Sequence, residues 1–209
     1  MAKPYSVLVV DDHPLLRRGI CQLLESDSDF VLFGEAGSGI DALAAISDNE
    51  PDIVLLDLNM KGMSGLDTLN ALRQEGVTSR IVILTVSDAK QDVIRLLHAG
   101  ADGYLLKDTE PDLLLEQLKN AMSGQRVVSS EVADYLLEQH SETNEEDWIA
   151  ELTPRELQLL QHLAEGLSNR MLSEVLHISE GTVKVHVKNL LRKANAKSRT
   201  EMAVRYLNR

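Results

Sequence analysis

Three carboxylates, a hydroxyl and an ammonium stand out in residues 1–107 of the 209-residue chain, because each ends or follows a short apolar run. Asp11 and Asp12 come after Ser6–Val10, and Asp57 ends Ile53–Asp57. Thr85 ends Ile81–Thr85, and Lys107 follows Gly103–Leu106. If those runs are parallel strands of one sheet, all five side chains gather at its carboxyl edge. Three carboxylates crowded together repel unless a hard cation sits among them, and an oxygen-rich set with room for water suits Mg²⁺. The Lys107 ammonium and the Thr85 hydroxyl add charge neutralisation and donors, which a phosphoryl group needs. A carboxylate can itself be the nucleophile and form an acyl phosphate. Asp57 is the candidate, at the end of the central run and just before Lys61-Gly62-Met63-Ser64-Gly65. Taken singly, Asp12 is a helix cap before Pro14 and Asp57 a turn residue; only the convergence of five groups favours phosphoryl chemistry.

A second pattern lies near the other end. Over Ser179–Lys193, Val183, Val187, Leu190 and Ala194 recur at helical spacing as a buried stripe, while Lys184, Lys188 and Arg192 recur every four residues on another face. Like charges at that spacing destabilise an isolated helix by ~0.2–0.5 kcal/mol per pair, so a polyanion is the natural complement. No acid interrupts the stretch from Gly181 to Ser198. The chain's net charge of −12 hides this polarity. Residues 1–149 carry 11 Lys/Arg against 27 Asp/Glu (net −16), residues 150–209 carry net +4, and residues 181–209 alone carry +7. An acidic protein with a basic end has two tasks.

The elements that position these groups are legible from periodicity. Five apolar runs, with Phe30–Ala36 as the second, alternate with helical patterns at Pro14–Glu25, Gly39–Asn49, Gly65–Gln74, Asp88–His98 and Pro111–Ser123. That alternation implies a parallel sheet covered on both faces, with ligands at the strands' carboxyl ends. Residues 126–149 read as a linker containing a short helix, Glu131–Glu138, followed by an acidic stretch. Trp148 either docks on a domain surface or marks the linker's end. Beyond it, Thr153-Pro154-Arg155-Glu156 and Ser198-Arg199-Thr200-Glu201 are capping boxes, and Gly166 closes the first helix. Ser168–Leu176 and Ser179–Lys193 are joined by a tight turn at His177-Ile178-Ser179, a helix-turn-helix pattern.

The set Asp11-Asp12, Asp57, Thr85 and Lys107 on a fivefold β/α pattern resembles the receiver domain of two-component response regulators. That resemblance implies a doubly wound, flavodoxin-like fold over residues 1–125. It implies that Asp57 accepts phosphate from a sensor histidine kinase, and that Asp11, Asp12, Asp57 and the Asn59 backbone carbonyl hold Mg²⁺. Thr85 and Tyr104 become a switch pair, and Asn59 and Ser87 tune the phosphoryl lifetime, with slow self-hydrolysis and no conventional enzymatic turnover. Two positions depart from the pattern: Lys61 and Asp108 stand where prolines are common. Without proline, a cis peptide after Lys107 would cost ~3 kcal/mol.

The wording Leu152-Thr153-Pro154-Arg155-Glu156, Gly166-Leu167-Ser168-Asn169-Arg170 and Ser179–Val187 is similar to LuxR-type DNA-binding domains. It implies a small all-α, four-helix domain over residues 150–209. Lys184, Val185 and Lys188 then face bases in the major groove, with Thr182, Arg192 and Lys193 toward phosphates. His186 either touches a phosphate or is a partly buried structural residue. The last helix, with Met202, Ala203, Tyr206 and Leu207, is implied as a dimer contact. The two halves together resemble the NarL/FixJ family, and Leu55–Arg73 with Ile83–Ala89 resemble its nitrate/nitrite-responsive members. The implied partners are a nitrate/nitrite sensor kinase, promoter DNA and RNA polymerase, with release of the C-terminal domain to form a homodimer on phosphorylation.

Composition excludes several other classes. At 44% hydrophobic and 26% charged the chain is globular, and no apolar run reaches the ~18–20 residues of a membrane span. The start lacks a signal-peptide pattern, and the single cysteine, Cys21, reads as a buried hydrophobe, so the expected setting is the reducing cytoplasm. A Mg²⁺-dependent aspartyl phosphatase wants a second aspartate where Asn59 stands. Gly34–Gly39 has the wrong spacing for a dinucleotide loop. A receiver acting only through protein contacts leaves the basic end unexplained.

Overall fold

The computed structural model describes residues 3–47, 49–86, 90–122 and 148–208. The chain divides into two compact units, Met1–Lys119 and Asn120–Arg209. In the first, strands β1 (Tyr5–Val10), β2 (Phe30–Ala36), β3 (Ile53–Asp57), β4 (Arg80–Thr85) and β5 (Gly103–Leu106) form one sheet in the order β2-β1-β3-β4-β5, and every pairing is parallel. Helices α1 (Pro14–Glu25), α2 (Gly39–Ile46), α3 (Gly65–Gln74), α4 (Lys90–His98) and α5 (Pro111–Met122) alternate with them. Val7–Val10, Ile53–Leu56 and Ile81–Leu84 are all essentially inaccessible, as continuous apolar runs in central parallel strands must be. Cys21 is buried in α1, and that burial, foremost, pushes its thiol pKa up, which suits a packing role.

Two departures from the expected elements have local causes. Helix α2 stops at Ile46 rather than Asn49. Glu50 Oε2 accepts from the N–H and hydroxyl of Thr78 (3.0 and 2.8 Å), and the Pro51 carbonyl accepts from Ser79 Oγ, so these residues serve the β3–β4 edge instead. The expected start of α4 at Asp88, Ser87, the end of α5 at Ser123, the helix 131–138 and the acidic stretch through residue 147 lie outside the described residues.

Asp57 is held in place by the start of α3. That helix begins so close to β3 that a Cβ on Gly65 would stand 2.2 Å from the Asp57 carbonyl oxygen, so only glycine fits. The Gly65 N–H donates to Leu58 O, and Ser64 caps the helix through the Asp67 N–H. At its far end α3 is fastened by buried Arg73, which donates to Asp102 at 2.6 Å and to the carbonyls of Val77, Ser79 and Gly100.

In the second unit, α6 (Pro154–Ala164), α7 (Asn169–Leu176), α8 (Glu180–Lys193) and α9 (Arg199–Leu207) surround a core of Leu159, Leu160, Leu163, Leu172, Leu176, Val183, Val187, Leu190 and Met202. Trp148 belongs to that core, with Ile149 packed against it, so its indole docks in the helical unit rather than ending a linker. The full capping box at Thr153 and Glu156 is present. That at Ser198 is half formed: Ser198 Oγ accepts from the Glu201 N–H, but the Glu201 carboxylate turns to the Lys197 N–H. His177, at φ 54°, turns the chain between α7 and α8.

Glu156 also joins α6 to the end of α8. The Lys193 ammonium sits 2.9 Å from its Oε2, and that bond, with the Thr153 N–H donating to the same oxygen, lowers the carboxyl pKa from 4.5 to about 2. The folded form therefore binds this proton less readily than the unfolded chain. Its stabilisation is complete above pH 4.5 and is lost as the pH falls toward 2. Glu156→Gln, which can still cap the helix, removes only the charge pair. It should loosen the unit by about 1–2 kcal/mol near neutrality, read as faster amide exchange in α8. The difference from wild type should disappear at low pH.

Candidate functional site

At the carboxyl edge of the sheet, β1, β3 and β5 deliver their end residues to one place. Asp11 and Asp57 are completely buried, and Asp12 nearly so. Lys107 Nζ stands 3.0 Å from Asp11 Oδ2 and 2.8 Å from Asp57 Oδ2. The first contact is a hydrogen bond and the second a close ion pair. Partial burial pulls the Lys107 pKa down, but the two carboxylates outweigh it and the net shift is upward. The ammonium therefore stays charged across the physiological range. The Lys107 N–H donates to the Thr85 carbonyl, fixing the loop that carries it.

The remaining oxygens are apportioned unevenly. Asp11 Oδ1 accepts from the His13 N–H, Asp12 Oδ2 from the Lys61 N–H, and Asp57 Oδ1 from the Asn59 N–H. Two buried carboxylate oxygens lack a hydrogen-bond partner, Asp12 Oδ1 and Asp57 Oδ2. A buried carboxylate oxygen that makes no hydrogen bond is costly, and a bound cation can supply the missing partner. Asp11, Asp12, His13 and Asp57 each offer one ligand atom, all within 4.8 Å of one another. The cluster is compatible with a divalent cation, and its largely oxygen donor set fits Mg²⁺. His13 is the member that attention to carboxylates alone misses; its place directly after Asp11-Asp12 is the signal that could have found it.

The other expected residues lie around this cluster. Thr85 is buried at the end of β4, one residue beyond the register partner of Asp57. Tyr104 lies on β5 and is 36% exposed. Asn59 is exposed and reaches Asp57 through its N–H. Among the described residues there is no cis peptide, so none follows Lys107.

On α8 the buried stripe is as the spacing predicts. Thr182, Val185, Lys188 and Arg192 are exposed on the opposite side, with Lys184 and His186 half-buried. Val185 is an apolar side chain 60% exposed among cations. Thr182 Oγ1 lies 2.8 Å from the Ser179 hydroxyl at the start of the helix. The ammonium of Lys193, a residue expected toward phosphates, is engaged by Glu156 and the Glu151 carbonyl. A corresponding change affects α9. Met202 is fully buried and Tyr206 packs on the same core, leaving Leu207 exposed and Ala203 half-buried for any contact with a second copy.

Comparison with known proteins agrees with both halves. Residues 7–119 match the response regulator receiver domain, and residues 150–206 match the bacterial regulatory proteins of the luxR family. The chain is 54% identical to the nitrate/nitrite response regulator protein NarP of Escherichia coli K12, over 99% of this chain and 96% of that one. A nitrate/nitrite response regulator homologue from Haemophilus influenzae is 52% identical over 98% and 97% of the two chains. The crystal structure of ChrA, a response regulator of a heme-sensing two-component system, is 33% identical with a TM-score of 0.50, covering 99% of both chains. A receiver with its acidic strand-end cluster, followed by a LuxR-type helical unit, makes this chain a member of the NarL/FixJ family of response regulators.

Proposed function

We propose that the protein is a transcription regulator switched by phosphorylation of Asp57 and answering nitrate or nitrite through a sensor histidine kinase. The observation that carries the first part is the environment of Asp57. A fully buried carboxylate ends the central strand with a lysine ammonium paired to it and two further carboxylates around it. An Asp57 carboxylate oxygen attacks phosphorus as the phosphorus–nitrogen bond of a phosphohistidine breaks; the kinase imidazole leaves and an acyl phosphate remains. Mg²⁺, held by Asp11, Asp12, Asp57 and the Asn59 carbonyl, supplies neutralising charge for the transferred group. Lys107 contributes a second positive charge, and Thr85 stands one residue beyond the register partner of Asp57, where its hydroxyl meets a phosphoryl oxygen. Movement of Thr85 and inward turning of the Tyr104 ring give the receiver two states with different affinity for phosphate.

Neither Asn59 nor Ser87 is a strong general base, so the acyl phosphate persists and the protein is a switch rather than an enzyme with turnover. Phosphorylation frees the C-terminal unit to bind promoter DNA as a homodimer in the cytoplasm and to contact RNA polymerase. Full-length identity above 50% to two nitrate/nitrite response regulators supports that signal over another within the family. No helix among the described residues is long and apolar enough to cross a membrane. The test is a titration of the intact chain on a labelled promoter fragment at fixed salt, with and without a small phosphodonor. The phosphodonor should tighten binding several-fold or more; equal curves would sink the switch.

A further inference from the structure

The His13 imidazole has no part in the phosphoryl transfer, yet it leans over the same site. Its Nδ1 lies 2.9 Å from Asp12 Oδ1, 3.2 Å from Asp11 Oδ1 and 3.9 Å from Asp57 Oδ2. His13 is the N-cap residue of α1, but its side chain makes no capping bond, so helix initiation does not explain where the ring points. The ring nitrogen is within hydrogen-bond distance of Asp11 Oδ1 and beside Asp12 Oδ1, a buried oxygen that makes no hydrogen bond, while buried Asp57 Oδ2 lies between it and the Lys107 ammonium. In an octahedral site with bonds of about 2.1 Å, neighbouring donors stand about 3 Å apart and opposite ones about 4.2 Å. The three distances from Nδ1 fall in that range.

We propose that His13 Nδ1 is a further ligand of the cation at this site, making it a mixed nitrogen–oxygen site that holds late first-row divalent ions such as Ni²⁺ more tightly than Mg²⁺. The proposal rests on the strand-end cluster being a divalent-cation site. Mg²⁺ keeps oxygen donors and water, whereas imidazole is a good donor to the late first-row metals, whose affinity for such sites also rises along the series. The side chain is two-thirds exposed, so a small displacement swings the ring between the carboxylates and solvent. Mg²⁺ therefore still binds through the oxygens alone.

The full-length protein, without an affinity tag, is titrated calorimetrically with MgCl₂ and with NiCl₂ as wild type and as His13→Ala. The expected result is a Ni²⁺ affinity lowered about tenfold or more in the variant, with Mg²⁺ affinity changed by less than about twofold. On the wild type, Ni²⁺ should also produce hyperfine-shifted or broadened resonances from the His13 ring, a readout that does not depend on the variant folding. An unchanged Ni²⁺ affinity in His13→Ala, with an unperturbed His13 ring while Asp12 and Asp57 respond, overturns the ligand role but leaves the cation site standing. A rise in affinity for both ions in the variant also overturns it, because the ring would then be a competitor for the carboxylates. Failure of either ion to perturb Asp12 and Asp57 removes the cation site itself, and this proposal with it.

Discussion

Incubation with a small phosphodonor and Mg²⁺ should add one phosphoryl group to the intact chain, and Asp57→Asn should add none. The effect is all or nothing because the chemistry has no second address. Among the described residues, Asp57 alone is a fully buried carboxylate at a central strand end with an ammonium 2.8 Å from an oxygen that makes no hydrogen bond. Asp11 is equally buried, but both its oxygens accept hydrogen bonds, from the His13 N–H and from Lys107. Asparagine at position 57 keeps the size and the Asn59 contact while removing the nucleophile. Intact mass measured over time, with peptide mapping of the adduct, gives the answer. Removal of divalent cations should block the reaction in the wild type too, since phosphoryl charge cannot gather beside three carboxylates with only Lys107 to offset it. An adduct of equal stoichiometry in Asp57→Asn would move the acceptor elsewhere.

Substitutions on α8 should separate reading from holding. Lys188 is exposed on the face shared with Val185, so Lys188→Ala should lose about 1–3 kcal/mol at particular base pairs and relax preference there. Lys184→Ala should behave alike. Arg192, one turn further along the same face, is assigned to backbone phosphate. Arg192→Ala should weaken all sequences about equally and reduce the salt slope by about 1. Lys193→Ala is the informative control. Because its ammonium is held by Glu156 and the Glu151 carbonyl, the substitution should lower the stability of the helical unit and leave the salt slope unchanged. Binding measured on several sequences at three salt concentrations distinguishes these patterns. Altered sequence preference in Arg192→Ala, with none in Lys188→Ala, would reverse the assignment of the face.

Local pattern makes most of the sheet and the helix starts legible in the sequence. Val7–Val10 and Ile53–Leu56 are apolar at every position because both faces of a central parallel strand are covered, and Thr153 and Glu156 signal a helix start within four residues. The features that local pattern misses are decided by contacts across long sequence separations. Nothing near Lys193 announces Glu156, thirty-seven residues earlier, so spacing alone groups this lysine with its basic neighbours. Glu50 shortens α2 because Thr78 recruits it from another strand's approach. Met202 fits an exposed contact stripe and an internal core equally well by periodicity; packing chooses the core. His13 escapes notice for a different reason: an aspartate pair reads as an all-oxygen site, and the neighbouring ring counts only when its distance is known.

Trp148 is the chain's single tryptophan, and it is lodged in the helical core with the Arg205 guanidinium 5.9 Å from its ring centre. Light absorbed at the red edge of the aromatic band therefore excites one unit and leaves the other dark. Melting monitored in this emission reports the DNA-binding half by itself. The acidic pocket belongs to the other compact unit, which carries no tryptophan of its own. Any shift in colour, lifetime or anisotropy on loading that pocket with cation and phosphoryl is then a direct optical measure of communication between the halves, obtained on the native chain without an attached dye.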